Sequence, residues 1–294
     1  MADASGQADI RGIDIDKLAK GFADEQNIFK KFCTQTTTSA REIRWYQKTA
    51  GFLDSVDTTT ITASQISNTS SKSRAVAVEQ SWTRQTSYVK KYFVESPMFS
   101  MEDINDCDVD VLATNVRDLV RAVENQVDQR IINVLTESYT PTTIQTTAAT
   151  ADGWDDAATG NPIADLLTAK QMIRAYGYDP EGAVLAINSI EHKNLLNFLI
   201  SVKGSSIPSF ASQKVESGVV MEILGLRVVV SENVTTDNAI VFVPQRAITW
   251  KSFMPITSSV IDDPGIGKKI RVWEEGAALL TDPKAVCLIT DTVV

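Results

Sequence analysis

The chain has 294 residues, 43% of them hydrophobic, and a net charge of −9. That is enough apolar material for one large or two ordinary folded domains, and the acidic balance argues against a surface built for general nucleic-acid binding. The first thirty residues hold no apolar signal core and no run of about 18 apolar residues occurs, which argues against export and membrane spanning.

Residues 1–50 are polar and mixed, with a short amphipathic piece at IDIDKLAKGF and then FKKFCTQTTTSAREIRWYQKT. This arm cannot form a domain alone, so it is expected to lie against its own body or a neighbour. Residues 51–66 (GFLDSVDTTTITASQI) are rich in Thr, Val and Ile. In 73–94, Val76, Val78, Trp82, Arg84 and Tyr88 share one face and Ala77, Glu79, Ser81, Thr83 and Ser87 the other, a period of two that predicts strand. With the polar link SNTSSKS between them, 51–96 reads as one long hairpin. Its second strand, of about 20 residues, would extend on the order of 65 Å, which invites pairing with another chain. Two or three shorter strands, broken by bends inside a barrel, are the alternative.

Next comes MEDINDCDVDVL (101–112), in which Asp106, Asp108 and Asp110 alternate as at the start of a calcium loop. Such a loop needs glycine at its sixth position and a bidentate glutamate at its twelfth. Counted from Asp106 these are Val111 and Arg117, so no metal is expected. Acids here suit a helix start instead: Ser100 and Asp103 have capping-box spacing, and Asp108 or Asp110 can cap the helix that follows. From about 109 to 137, Leu112, Val116, Leu119, Val120, Val123, Val127, Ile131, Val134 and Leu135 recur at steps of three and four. This predicts an amphipathic helix about 43 Å long, with Arg117, Arg121, Glu124, Asp128 and Arg130 on its polar face.

After a polar break, a helix is expected over 162–176, opened by Pro162 and closed by Gly177. A strand at 183–187, a helix from Ser189 to about Ile200, and strands near 219–223, 226–230, 239–243, 246–251, 270–274 and 284–290 complete an α+β chain without internal repeats. The residues offer little chemistry. The single histidine, His192, sits in a helical first turn expected to face solvent. DDPGIGKK (262–269) lacks phosphate-loop spacing and reads as a turn. Cys33, Cys107 and Cys287 are far apart and read as packed thiols, so neither a His/Cys metal cluster nor any cofactor is expected. A carboxylate-based enzyme stays open, because such pairs leave no trace in one sequence.

The order of elements resembles the major capsid protein of tailed bacteriophages and related archaeal viruses, the Hong Kong 97 fold. ESPMFSMEDINDCDVDVLATNVRDLVRAVENQVDQRIINVL is similar to that family's passage from extended loop to spine helix. ADLLTAKQMIRAYGYDPEGAVLAIN resembles its helix, GY turn and strand, and MEILGLRVVVSENV its axial-domain hairpin. The resemblance implies an N-terminal arm (1–50), an extended β-hairpin loop (51–96), a peripheral domain with the spine helix (97–150), an axial domain (151–250) and returning strands (251–294). It implies a subunit that assembles with itself into hexamers and pentamers of an icosahedral head, made in the host cytoplasm and enclosing double-stranded DNA without sequence-specific binding. Portal and decoration proteins would be further partners. About fifty residues precede the hairpin, so a separate scaffolding protein is expected. Lys72 is the one loop-tip lysine available for a covalent cross-link, but no partner motif matches it, so a non-covalent shell is expected.

Charge carries a related expectation. Residues 41–94 hold eight Lys or Arg against four acids, a balance of +4, whereas 95–110 hold six acids and no base. The basic hairpin of one subunit is therefore expected over the acidic helix start of the next; the alternative is that both charge sets merely solvate surfaces. Contact candidates are Trp45, Tyr46, Lys72, Arg74, Trp82, Arg84 and Tyr88 on one side and Asp103, Asp106, Asp108 and Asp110 on the other. Competing readings are an encapsulin-like nanocompartment shell of the same fold, a tail or other structural virion protein, and the carboxylate enzyme.

Overall fold

A computed structural model describes residues 29–47, 83–100, 109–149, 153–156, 159–202 and 222–293. In chain order its strands are β1 (Thr34–Thr37), β2 (Glu42–Gln47), β3 (Thr83–Tyr88), β4 (Lys90–Glu95), β5 (Phe99–Ser100), β6 (Gln145–Ala148), β7 (Val184–Ile187), β8 (Glu222–Ile223), β9 (Leu226–Val230), β10 (Asn238–Phe242), β11 (Ile248–Asp263), β12 (Gly267–Leu280) and β13 (Val286–Thr290). The helices are α1 (Val109–Leu135), α2 (Pro162–Ala175) and α3 (Ser189–Asn197), the last continued by a π turn over Phe198–Val202. The chain divides into two compact units, one drawing on residues 1–43, 86–131 and 249–279, the other on 44–85, 132–248 and 280–294.

The first unit is a five-stranded sheet covered by α1. Its order is β1-β11-β12-β4, with β5 also pairing β12; β1 runs parallel to β11 and β4 antiparallel to β12. The 3.6-residue stripe of α1 places Val116, Val120 and Val123 against Ile256, Ile270 and Val272, with Tyr92 and Val94 of β4 at the margin. Burying each such aliphatic side chain stabilises by about 1.5–3 kcal/mol. Within 262–269, residues 264–266 form the turn that joins β11 to β12, with Gly265 at φ +80, and the flanking residues belong to the strands. Gly276 is needed for a close approach, since a Cβ there would stand 2.3 Å from the Trp250 ring.

The second unit holds a six-stranded sheet in the order β6-β13-β10-β7-β9-β8. β7 and β13 flank β10 antiparallel, while β6 and β9 lie parallel to β13 and β7. β7 is buried at all four residues, which explains why its sequence VLAI is apolar without alternation. One face packs on Leu166, Ala169 and Ile173 of α2 and Leu195 of α3. Asn161 caps α2 and Asn188 caps α3 with their side-chain oxygens, and Pro162 opens α2.

Three expectations need correction. The strand read as continuous over 73–94 is, over its described part, two strands: Val89 breaks it, β3 pairs β2, and β4 joins the five-stranded sheet. Glu124 and Asp128 do not sit on a solvated helix face but are 2% and 3% exposed, because the N-terminal turn at 29–33 covers that flank and the Phe29 amide donates to Asp128 Oδ1 at 3.2 Å. His192 is half-buried, and desolvation lowers its pKa.

Candidate subunit-interface surfaces

Alternation along β2 decides which aromatic side chains are available. Trp45 turns inward, its indole donating to the Leu280 carbonyl at 2.9 Å, and Gln47 donates to the same oxygen. Tyr46, one residue on, is 62% exposed. On β3 the same period leaves Arg84 exposed and Tyr88 63% exposed. Trp45 is thus engaged within its own chain, while Tyr46, Arg84 and Tyr88 present to the outside. Lys72, Arg74, Trp82, Asp103, Asp106 and Asp108 lie outside the described residues. Asp110 falls in the first turn of α1, where only the backbone is described.

Part of the charge pattern is consumed inside the subunit. Glu95, first of the acidic run, accepts from Lys269 Nζ and Arg271 Nε, each at 2.8 Å. Those bonds, from Lys269 first and Arg271 second, hold its carboxyl below the usual range. Arg41 and Lys91, counted in the basic stretch, stand 3.3 and 3.8 Å from Glu275. Lys91 also lies over the rings of Phe93 and Trp273 at 5.6 Å, and Arg41 over Phe253 at 4.7 Å. Of the exposed apolar side chains in this unit, Phe93 on β4 is 63% accessible. The signal for these pairs was present in WEEG (273–276): two consecutive acids in an apolar strand need partners, and the antiparallel register sets Glu275 opposite Lys91.

A second charged group was not foreseen. Lys30 forms an ion pair with Glu274 and stands 5.5 Å over the Trp250 ring. Glu124 lies beside this pair and Asp128, and among the described residues one of its buried carboxylate oxygens has no hydrogen-bond partner. Desolvation, reinforced by the Asp128 charge, pushes the Glu124 carboxyl up to about 8. Burial raises the Cys33 thiol far above its usual value and that of Cys287 to about 12, so neither is a nucleophile at neutral pH. Among the described residues no group of three or more His, Cys, Asp or Glu is arranged to hold a metal ion, and no helix is long and apolar enough to cross a membrane.

The model of the phage capsid protein family matches residues 98–289, from the end of the predicted hairpin through β13. The chain belongs to that family. This capsid protein resembles solved structures along almost its whole length. The virus-like particle from Pyrococcus furiosus is 12% identical with a TM-score of 0.62, over 94% of this chain and 97% of the other. The capsid of cyanophage P-SCSP1u is 13% identical with a TM-score of 0.63, over 90% and 88%. Mycobacterium phage Che8 is 16% identical with a TM-score of 0.62, over 92% and 93%. At these identities the likeness establishes the fold, which is the Hong Kong 97 type. No curated protein matches the chain. The family places the capsid protein in the virion and gives it a structural role in the shell.

Proposed function

We propose that this capsid protein builds the head of a tailed double-stranded DNA virus as hexamers and pentamers. The observation that carries the reading is the family match over 98–289 on a chain with the shell fold throughout. It favours a phage head over an encapsulin-like nanocompartment, and it offers a carboxylate enzyme nothing. The first unit serves as peripheral domain with α1 as its spine, and the second as axial domain. The shell is non-covalent; a separate scaffolding protein, a portal and decoration proteins act with it, and DNA is retained by enclosure, because dense phosphate-binding arrays would hold it too tightly. Negative-stain electron microscopy of the expressed protein, alone and with the virus's other structural proteins, tests this. Closed shells support it, whereas tubes or stable monomers under all conditions overturn it.

The basic hairpin is proposed to lie over the neighbour's acidic helix start, reading Arg74 and Arg84 against Asp103, Asp106, Asp108 and Asp110. Two observations refine the pairing: Glu95 is spent on Lys269 and Arg271, and Arg41 and Lys91 face Glu275. The intersubunit contrast therefore rests on the remaining charges. Each surface pair contributes only about 0–1 kcal/mol, but every interface repeats it. The double variant Arg74→Glu, Arg84→Glu is expected to lower shell yield at least tenfold while leaving the subunit's circular dichroism unchanged. Undiminished yield would refute the pairing.

A further inference from the structure

α1 stops at Leu135, and the turn that follows has the opposite hand. Glu137, Ser138 and Tyr139 stand at φ +50, +56 and +60, three consecutive left-handed residues with no glycine among them. This conformation brings Cβ close to the following carbonyl oxygen, and only glycine, with asparagine and aspartate at times, adopts it routinely, as single residues. The sequence itself favours a right-handed continuation. Tyr139 lies four residues after Leu135 and seven after Ile132, both fully buried, so one more turn of α1 would keep it on the apolar stripe. Pro141 would end that turn, because the residue before a proline avoids the helical region.

What opposes that preference is one carboxylate. Glu137 accepts from the amides and the hydroxyls of both Thr142 and Thr143, the Thr143 amide at 2.9 Å and the Thr142 hydroxyl at 3.3 Å. Burial disfavours its ionised form, but the bonds from Thr143 and Thr142 outweigh that and hold the carboxyl below its ordinary value. Two residues on, the Tyr139 hydroxyl accepts from the Thr235 amide at 2.9 Å. A right-handed turn would carry Glu137 and Tyr139 onto the surface of α1 and withdraw them from these partners. It would also set an ionised acid at the negative end of the helix dipole.

We propose that 137–139 is a two-state turn, held left-handed by Glu137 on Thr142 and Thr143, whose second state is one further right-handed turn of α1. The two states lead the chain from the last turn of α1 toward β6, which begins at Gln145, by different paths. Backbone chirality favours one state and the carboxylate's charge-assisted bonds the other, and these opposing local contributions are of the same order. A contact made in one environment and absent in another is then enough to change which state is populated. Resting on the shell reading above, the turn gives one sequence two conformations for hexamer and pentamer positions, whose surroundings are unequal.

The unassembled subunit decides whether the second state exists. In Glu137→Ala, amide exchange at Thr142 and Thr143 should accelerate at least tenfold. The amide–Hα coupling of Tyr139, read by nuclear magnetic resonance, should change from its positive-φ to its negative-φ value as α1 extends. Adding Ser138→Gly removes the left-handed cost at the centre of the turn and disfavours helix, so the double variant should return that coupling to its wild-type value. Positive φ retained in Glu137→Ala, or a coupling averaged by disorder, overturns the switch. In assembled shells, electron cryo-microscopy should show 137–139 left-handed at some subunit positions and helical at others; one conformation at every position overturns the adaptive role. Failure to form shells would count against the shell reading alone, since the couplings are measured before assembly.

Discussion

The two units stabilise themselves by different means. In the second, the central strands β7, β10 and β13 are buried nearly end to end by aliphatic side chains, and buried polar groups such as Asn188 serve as helix caps. In the first, the core beside α1 contains Glu124, Asp128, Glu274 and Glu275, with Lys30 inserted between Glu274 and Trp250. Aliphatic burial is nearly indifferent to pH and salt, whereas buried charges are stable only while paired or protonated. The second unit buries acids too, Asp165 and Glu191, but these accept from neutral donors, the Trp154 indole at 2.8 Å and the Asp237 amide at 2.7 Å, whereas the first unit holds its N-terminal segment through clustered acids and a paired lysine.

The sharpest way to break this contrast is to remove Lys30, the cation paired with Glu274. Lys30→Met is expected to destabilise the first unit by about 3–5 kcal/mol, because Glu274 is left buried without its counter-charge. Urea denaturation read by hydrogen exchange would show the loss in peptides covering 116–131 and leave 184–187 unaffected. Adding Glu274→Gln should recover at least half of the loss. A single-variant cost under about 1 kcal/mol would show that the pair is not needed.

A smaller effect comes from protonation. The folded-state pKa of Glu124, about 8, is raised above its ordinary value, so folding takes up a proton at neutral pH. Its contribution is complete below about pH 4.5 and is lost as pH rises through about 8. The first unit should weaken between pH 5 and 9 by on the order of 2–3 kcal/mol, and Glu124→Gln should remove most of that slope. Parallel slopes for wild type and variant would refute the assignment.

What could be read beforehand follows the same division. Periodicity marked α1, α2 and the buried strands because aliphatic spacing is a local property, and β7 and α2 fall within one residue of their expected limits. Two long strands were read as fragments: expected segments near 246–251 and 270–274 are parts of β11 and β12, which run 16 and 14 residues. Their patterns change face as they leave one set of neighbours for another, so no single period covers them. Glu124 was placed on the polar face since nothing local announces that residues 29–33, about a hundred positions away, cover it. Lys30 and Glu274 are 244 positions apart, and only the fold brings them together. Of the contact candidates, Tyr46 and Tyr88 are exposed, whereas the part-buried Trp45 indole donates to the Leu280 carbonyl of its own chain, a contact 235 positions away that nothing local announces.

The mildest prediction concerns a polar group in the second unit. Asn188 accepts from the Ile190 amide at 3.2 Å through its oxygen and donates its amide to the Val234 carbonyl at 2.9 Å. Asn188→Ala loses a cap and leaves that carbonyl unpaired, so a cost of about 1–2 kcal/mol is expected, without pH dependence. Asn188→Asp keeps the capping oxygen but, once ionised, sets a carboxylate against the buried Val234 carbonyl. Protonated, it can still donate to that oxygen, so this variant should be near wild type at low pH and weaken as pH rises. Exchange protection of 184–187 followed against pH decides the matter. If the aspartate variant shows no slope, this corner is hydrated enough to carry a charge; if it does, an ionised side chain at the α3 cap is enough to loosen β7, because the Val234 carbonyl offers it no proton.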